Sequence, residues 1–422
     1  MNVTDGYVWI GDLLVRRLRI PFQWHYAKPL TDVWHESRET LSQTNLVISG
    51  FPWLLRQHGD VQFEYSPVFH PDEINARWLT YILGDEANVI DFEIESIGTG
   101  QVGANFRCHL TWDRDRQLPT VVIKFAALDA QSRATGIQMG TYQREAEFYR
   151  QIAQRIDVAV PHVHYLDFVP ESADVVIVME DLDPLVQGDQ LNGCSHSEAR
   201  MALSEAALLH GAFWDDESLF ELDWVSRRDP EGIAHTVQLI EALQPAFVNR
   251  YQSVLSEEAI EAGDRFLRGA SVWFSDIPRP STLVHGDYRL DNLMFAPTGT
   301  LSSRPLVVVD WQTVTHSHAA HDVAYFLGSS FAPEDRRSHE EQLVGHYYDE
   351  LTNRDDAPSI TLDEFWLNYR RFSWSGFVMA MLASMIVGRT ERGDDMFVAM
   401  ANRHASQIAD LGATEFLSTS TQ

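Results

Sequence analysis

The chain has 422 residues, of which 45% are hydrophobic, and its formal net charge at pH 7 is −29. This apolar content is typical of globular proteins and excludes a largely disordered chain, and the length predicts two domains or one large bilobal unit. So acidic a surface would repel the phosphates of a nucleic acid, and we therefore expect no nucleic-acid partner.

The cysteines and the apolar runs indicate the setting of the protein. Cys108 and Cys194 are its two cysteines, and neither lies in a C-x-x-C pattern, so no disulfide framework or zinc site is predicted. We expect a reducing, cytoplasmic environment. The longest nearly apolar run, Trp374 to Gly388, is shorter than the roughly 20 residues that a bilayer requires. The N-terminus lacks the features of a signal peptide, and we expect no membrane partner.

The first seventy residues form a segment of their own. Residues 1–70 are rich in Trp, Phe, His and Pro and show weak periodicity. We interpret them as an N-terminal extension of uncertain role, either a peripheral segment, an added subdomain or a translated extension from an upstream start codon. A helix is predicted directly after His70, since Pro71 suits the first helical position and an apolar face runs from Ile74 to Leu83.

A glycine-rich turn follows, with Gly98, Gly100 and Gly103 in the pattern G-x-G-x-x-G. This pattern alone serves dinucleotide-binding folds and kinases alike. In a dinucleotide-binding unit a helix begins inside the motif, but residues 104–112 alternate between apolar and polar, which predicts a strand. The glycines would let backbone amides approach the phosphates of a nucleotide.

The next predicted strand, Thr120 to Phe125, carries Lys124 among β-branched residues. A strand, a glycine turn, a strand, a turn and a strand with a lysine together predict the small lobe of a kinase. Lys124 is then either an edge-strand charge or the residue that contacts the α and β phosphates with the help of a helix carboxylate. The helical segment Tyr142 to Arg150 offers Glu145 and Glu147 for that purpose.

Further along, residues 175–182 predict a buried strand, and Ser195 to Glu198 predict a capping box that begins an apolar-striped helix. His210 on that helix is expected to be a core histidine. Helical patterns then fill residues 233–274 and much of the C-terminal part, including residues 365–369 and 374–387.

A polar loop between apolar segments carries the strongest chemical signal. It contains His285, Asp287 and Asn292, and a short β-branched strand then ends at Asp310. Asp287 can orient an acceptor hydroxyl and take its proton. Asn292 and Asp310 can supply the hard oxygen ligands that a magnesium ion on the phosphates of ATP requires.

Residues 285–292 match every fixed position of H-G-D-x-x-x-x-N. In this loop the chain resembles the aminoglycoside phosphotransferase and choline kinase group of the protein-kinase-like fold, and the resemblance extends from about Glu73 to Gly388. The glycine-punctuated loop from Gln187 to Cys194 is similar to that of the ecdysteroid kinase-like bacterial phosphotransferase branch.

The resemblance implies roles for several residues. Glu145 is the helix carboxylate that would pair with Lys124, and backbone groups near Glu180 to Leu182 would hydrogen-bond adenine in a hinge between two lobes. Asp322 and His285 would brace the catalytic loop. The histidines from His316 to His321 are therefore not interpreted as a metal site.

We thus predict an α+β, bilobal protein-kinase-like fold. A small antiparallel N-lobe would span residues 71–182, and a mainly helical C-lobe residues 183–422. The predicted function is magnesium-dependent transfer of the γ-phosphoryl group of ATP to a hydroxyl of a small molecule. Three alternatives are a catalytically silent nucleotide- or partner-binding protein, a kinase for lipid-linked or acyl-CoA hydroxyls, and a dinucleotide-dependent oxidoreductase.

Two departures from the wider family refine this prediction. Gln312 stands where many relatives have a further acid or glycine, which would weaken one metal contact while leaving Asp310 intact. The segment from Asp310 to Asp322 is short, which favours a constitutive small-molecule kinase over a regulated protein kinase. The acceptor, the choice between ATP and GTP, and the oligomeric state do not follow from the sequence.

Overall fold

The computed structural model describes residues 7–10, 13–16, 67–98, 102–225, 230–275, 278–300, 302–354 and 358–418. The chain divides into two compact units, Met1–Glu64 and Tyr65–Gln422. In the first unit the described residues form an antiparallel hairpin of β1 (Tyr7–Ile10) and β2 (Leu13–Arg16). The other predictions for residues 1–66 lie outside the described residues.

The second unit begins with a short helical region that differs from the prediction. Instead of one helix after His70, a 3-10 turn at Pro71–Glu73 precedes a separate helix, α1 (Ala76–Leu83). The reason lies at Asn75, whose backbone is extended and whose side chain accepts the Trp78 N–H at 3.0 Å. A second helix start therefore interrupts the first.

A five-stranded antiparallel sheet follows, in the order β3-β4-β5-β7-β6. Alternating side chains give it two faces. On one face Cys108, Val121 and Ile123 form an apolar core with Trp78 and Leu79 of α1. The strands are β3 (Val89–Ile97), β4 (Gly103–Trp112), β5 (Thr120–Ala126), β6 (Val163–Val169) and β7 (Asp174–Glu180).

The helical insert between β5 and β6 approaches the other face of this sheet. It consists of α2 (Ala130–Met139), α3 (Thr141–Glu147) and a π-helical turn, Phe148–Ile152. Asn105 and Lys124 are partners across β4 and β5, so both point to the face away from α1. Lys124 can therefore reach α3.

The larger, mainly helical part packs around a second apolar core. Its helices are α4 (His196–Ala212), α5 (Pro230–Tyr251), α6 (Glu257–Ser275), α7 (Ala320–Ser330), α8 (Pro333–Thr352), α9 (Leu362–Ile386) and α10 (Glu391–Asp410). The predicted capping box of Ser195 and Glu198 is present at the start of α4. None of the helices in the described ranges is long and apolar enough to span a bilayer.

Short strands position the polar loops of this part. The strand β10 (Leu293–Phe295) lies between β8 (Val186–Gln187) and β11 (Leu306–Val308), and β9 (Thr282–Val284) pairs with β12 (Thr315–Ser317). The predicted α+β architecture, with a small antiparallel sheet and a larger helical part, is confirmed. The division at residues 71–182 and 183–422 remains a prediction.

Candidate active site

An ion triad, with Glu145 buried and Lys124 and Asp310 partly buried, joins the sheet, α3 and the segment after β11. Lys124 Nζ lies 2.8 Å from Glu145 Oε1, 2.7 Å from Glu145 Oε2 and 3.0 Å from Asp310 Oδ1. Glu147, the alternative partner on α3, instead accepts hydrogen bonds from Arg150 and Gln151. The structure therefore brings Lys124, Glu145 and Asp310 together across more than 180 residues of sequence.

Burial and charge act against each other in this triad. Burial alone would lower the pKa of Lys124, but the negative charges of Asp310 and Glu145 outweigh it and raise that pKa above its usual value. Burial raises the pKa of Glu145. Burial would also raise the pKa of Asp310, yet the neighbouring Lys124 ammonium holds it below its usual value. Lys124 and Asp310 are thus both charged at neutral pH.

Asp310 has an unusual backbone conformation, with φ at 67° and ψ at 61°. Left-handed conformations are uncommon for residues other than glycine and concentrate at functional sites. The side chain of Gln312 donates to Asp310 Oδ2 at 3.1 Å. Gln312, the residue that departs from the wider family, therefore places its side-chain amide against the second oxygen of the Asp310 carboxylate.

Trp311 anchors the Asp310 segment in the core. Its fully buried ring stacks on Phe148 with 4.0 Å between ring centroids and lies 4.8 Å from the ring of His285. Arg144 of α3 donates to the backbone oxygen of Gln312 at 2.9 Å. These contacts connect α3, the predicted catalytic loop (residues 285–292) and the segment around Asp310.

The predicted catalytic loop runs from β9 to β10 and presents Asp287. Arg289 Nε donates to both carboxylate oxygens of Asp287, at 3.1 and 3.0 Å. Asn292 Nδ2 donates to Asp287 Oδ2 at 3.0 Å, and the hydroxyl of Tyr325 donates to Oδ1 at 2.6 Å. Since Asn292 uses its nitrogen for this contact, Oδ1 is the atom of Asn292 that could ligate a cation.

The backbone of this loop is braced by Asp322 of α7. Its carboxylate oxygens accept the N–H groups of His285 at 2.7 Å and Gly286 at 3.0 Å. A glycine is required at position 286, because φ is +83° and a Cβ there would lie 2.4 Å from the Thr313 carbonyl oxygen. The ring of His285 contacts the carbonyl oxygen of Val309 at 3.0 Å.

The other histidines singled out in the sequence make internal contacts. His210 is fully buried, with Nδ1 2.7 Å from the Tyr347 hydroxyl and Nε2 3.2 Å from Asp322 Oδ2. His318 accepts the Ala320 N–H, and desolvation lowers its pKa to about 3. His321 lies 3.3 Å from Asp322.

The described residues of the glycine turn lie at the ends of β3 and β4. Gly98 follows β3 with φ at +74°, and a Cβ on Gly103 would lie 3.2 Å from Cε of Lys124. The turn therefore begins in a conformation that favours glycine and ends against the triad lysine. Gly100 lies outside the described residues.

The predicted hinge leads from β7 into the larger part. Glu180, its first residue, accepts hydrogen bonds from Arg304 at 2.7 Å and from the His162 N–H at 2.8 Å. The carbonyl oxygen of Leu182 accepts the Leu185 N–H at 2.7 Å. The N–H of Glu180 donates to the His162 carbonyl oxygen at 2.9 Å, so both the side chain and the amide of Glu180 serve the fold.

Sequence reasoning missed an ionic chain next to Asp287. Arg289 Nη1 donates to Asp291 Oδ2 at 2.9 Å, and both terminal nitrogens of Arg392 donate to the Asp291 carboxylate at 2.9 Å. Tyr325 was missed as well. Only their spacing could have indicated these residues, since Arg289 lies two positions after Asp287 and Tyr325 lies three positions after Asp322.

The chain is similar to curated proteins over limited stretches. It is 43% identical over 51 residues to acyl-CoA dehydrogenase family member 11 of Gallus gallus, which is 12% of this chain and 6% of that protein. With the Rattus norvegicus protein of the same name it is 24% identical over 164 residues, or 36% of this chain and 20% of that protein. The chain therefore spans a fifth or less of the length of these relatives.

Among solved structures, choline kinase from Cryptosporidium parvum Iowa II matches with a TM-score of 0.47 and 11% identity, over 81% of this chain and 91% of that chain. The GDP complex of wild-type aminoglycoside 2'-phosphotransferase-IIIa matches with a TM-score of 0.45 and 14% identity, over 78% and 96%.

The family comparison covers the catalytic loop and the Asp310 segment. Residues 229–356 match the ecdysteroid kinase-like family model. This range contains residues 285–292, the H-G-D-x-x-x-x-N loop on which the predicted resemblance depended, and also Asp310 and Asp322. The predicted resemblance is therefore confirmed over residues 229–356, while the loop from Gln187 to Cys194, which suggested the ecdysteroid kinase-like branch, lies outside this match.

Proposed function

We propose that this protein is a small-molecule kinase that transfers the γ-phosphoryl group of ATP to a hydroxyl of its acceptor. One observation carries the proposal: Val309, the neighbour of Asp310, is hydrogen-bonded to both His285 and Asn292 of the catalytic loop. The residue proposed to hold the acceptor and the residues proposed to hold the metal therefore belong to one site.

The donors of the site fit a magnesium ion on the phosphates of ATP. Magnesium prefers hard oxygen ligands and is usually held by one or two protein oxygens together with phosphates and water. Asp310 offers a carboxylate and Asn292 its amide oxygen. When bound, the ion would neutralise charge that develops on the phosphates. Lys124, held by Glu145, would contact the α and β phosphates.

Asp287 is proposed to orient the acceptor hydroxyl and to take its proton as the phosphoryl group transfers. Gly98, Gly100 and Gly103 would cover the phosphates, and backbone groups from Glu180 to Leu182 would contact the base. The rival hypothesis, a catalytically silent nucleotide-binding protein, keeps the fold but predicts that Asp287 takes no proton from an acceptor. Cytoplasmic localisation remains a prediction from the cysteine content.

Two measurements on the full chain test this proposal. The first is thermal stability with magnesium-ATP, magnesium-GTP and NAD, since a ligand that binds the folded state raises the melting temperature. The second is ADP release with choline, gentamicin, an ecdysteroid, lactate and glucose as acceptors. A magnesium-dependent shift with ATP and acceptor-stimulated ADP release are expected. Binding without ADP release would favour the catalytically silent protein, and a shift with NAD alone would favour the oxidoreductase.

Replacing Asp287 with asparagine is expected to lower kcat by about 10²- to 10⁴-fold, because the variant keeps the shape of the side chain but cannot take a proton. The thermal shift with magnesium-ATP should remain, since Asp287 is not proposed to hold the nucleotide. Asp335→Asn on the exposed start of α8 is the matched control and should keep the wild-type kcat. Wild-type turnover in Asp287→Asn would exclude the proposed role.

A further inference from the structure

The hydroxyl of Tyr325 makes the shortest of the described hydrogen bonds to the Asp287 carboxylate, with 2.6 Å between the hydroxyl oxygen and Oδ1. This distance is typical of a charge-assisted hydrogen bond to a carboxylate. Tyr325 is 1% exposed and lies on α7, three residues after Asp322. Positions three apart share one face of a helix. The same face of α7 thus holds both the backbone of the catalytic loop and the side chain of its aspartate.

The three side chains that donate to the Asp287 carboxylate differ in their other contacts and proposed roles. Arg289 is shared with Asp291, to which it donates at 2.9 Å. Asn292 is proposed above as a metal ligand. The Tyr325 hydroxyl makes its hydrogen bond to Asp287, so this bond can fix the rotation of the carboxylate independently of the nucleotide.

The ring of Tyr325 is held in place by rigid neighbours. Its centroid lies 5.8 Å from that of His404, which is fully buried. Cβ atoms on Gly376 and Gly328 would lie 1.9 and 2.4 Å from ring nitrogens of His404, so α7 and α9 leave no space around this imidazole. Close packing of this kind keeps side chains in single conformations.

Tyr325 can act as a hydrogen-bond donor but not as a proton carrier. Burial, together with the negative charge of Asp287, raises the pKa of Tyr325 well above its usual value. Desolvation lowers the pKa of His404 to about 3, so the imidazole beside it is neutral. The proton of an acceptor hydroxyl would therefore move to Asp287, while Tyr325 keeps its own.

We propose that Tyr325 is a positioning residue for phosphoryl transfer, which aligns the Asp287 carboxylate with the hydroxyl of the acceptor. This inference rests on the proposed function. Its physical basis is that transfer depends on near-attack geometry, in which a misplacement of about 1 Å can lower the rate by about 10²-fold. A carboxylate held by Arg289 and Asn292 alone could rotate away from the acceptor.

The test compares two tyrosine-to-phenylalanine variants of the full chain. Tyr369→Phe is the matched control, since the Tyr369 hydroxyl is fully buried and also donates to a carboxylate, Glu340 Oε1, at 2.6 Å. It also accepts from Gln407, which contacts His404. The control therefore disturbs the same core without touching Asp287.

For wild type and both variants, kcat and KM are measured from ADP release with magnesium-ATP and the acceptor of the panel that gives the highest rate. ADP release without an acceptor, where water is the only nucleophile, is measured separately. Tyr325→Phe should lower kcat by about 10- to 100-fold, with the KM for ATP within about twofold of wild type. Tyr369→Phe should lose a similar amount of thermal stability but keep the wild-type kcat. This split separates positioning from a structural role.

Two outcomes overturn the inference while the proposed function stands: an unchanged kcat in Tyr325→Phe, or an equal loss of kcat in both variants. A third outcome is different in kind. If wild-type protein neither binds magnesium-ATP nor releases ADP, the proposed function is wrong and the positioning role is wrong with it.

Discussion

Asp322→Asn is expected to lower the free energy of unfolding by about 3–5 kcal/mol, the range typical of removing one partner from a buried ionic network. Asp322 is fully buried and accepts from the N–H groups of His285 and Gly286. It also lies 3.2 Å from His210 and 3.3 Å from His321. An amide cannot accept at both of its atoms, so at least one loop N–H would lose its partner.

This variant should also lose kcat, because the catalytic loop would no longer be fixed in the conformation that presents Asp287. Urea unfolding and ADP release measure the two effects separately. Asp335→Asn serves as the control for a simple loss of charge. If the free energy of unfolding of Asp322→Asn lies within about 0.5 kcal/mol of the wild-type value, as is usual for ordinary surface substitutions, the loop does not depend on this carboxylate.

The pH dependence of stability gives an independent check. Burial would raise the pKa of Asp322, but hydrogen bonds from His210 and His321 outweigh it and hold the pKa far below its usual range. A carboxylate with a depressed pKa stabilises the fold above its unfolded pKa of about 4, and this contribution declines as the pH falls below that value. The stability difference between wild type and Asp322→Asn should therefore shrink below about pH 4.

The sequence predicted those parts of the site that depend on local pattern. Alternation after Gly103 predicted β4, and β-branched residues around Lys124 predicted β5. The first signal is the period of two that the pleat imposes, and the second is the preference of β-branched residues for strands; both are readable within a few residues. The choice of Glu145 over Glu147 agrees with the contacts, since two positions on a helix point in different directions.

The parts that could not be predicted depend on contacts between distant segments. Arg392 meets Asp291 across 101 residues, and Tyr325 meets Asp287 across 38. The local periodicity of the sequence does not reveal such pairs, because they arise only when α7 and α10 pack against the catalytic loop. The interrupted helix after His70 was missed for the opposite reason, since the local capping by Asn75 was stronger than the apolar periodicity.

Lys124→Met is expected to lower kcat/KM for ATP by at least about 10²-fold, since the proposed contact to the α and β phosphates would be lost. It should also destabilise the fold. Lys124 is the cation between Glu145 and Asp310, whose carboxylates lie 2.7 and 3.0 Å from its ammonium group. Methionine fills a similar volume but leaves these two acids without their shared counter-charge.

The loss of stability should be about 3–5 kcal/mol, the usual result of leaving a buried charge unpaired. It should also depend on pH in a defined direction. Burial already raises the pKa of Glu145, and removal of the Lys124 charge would raise it further. Protonation of Glu145 would then relieve the repulsion, so Lys124→Met should lose less stability relative to wild type at pH 5 than at pH 8.

A second variant separates the structural effect from the chemical one. In Lys124→Met/Glu145→Gln one of the two acids is neutral, so most of the lost stability should return. The activity should not return, because no cation faces the phosphates. Urea unfolding and ADP release on both variants provide the comparison. Recovery of kcat/KM in the double variant would mean that Lys124 serves only the fold, and that the positive charge required for phosphoryl transfer comes from another part of the chain.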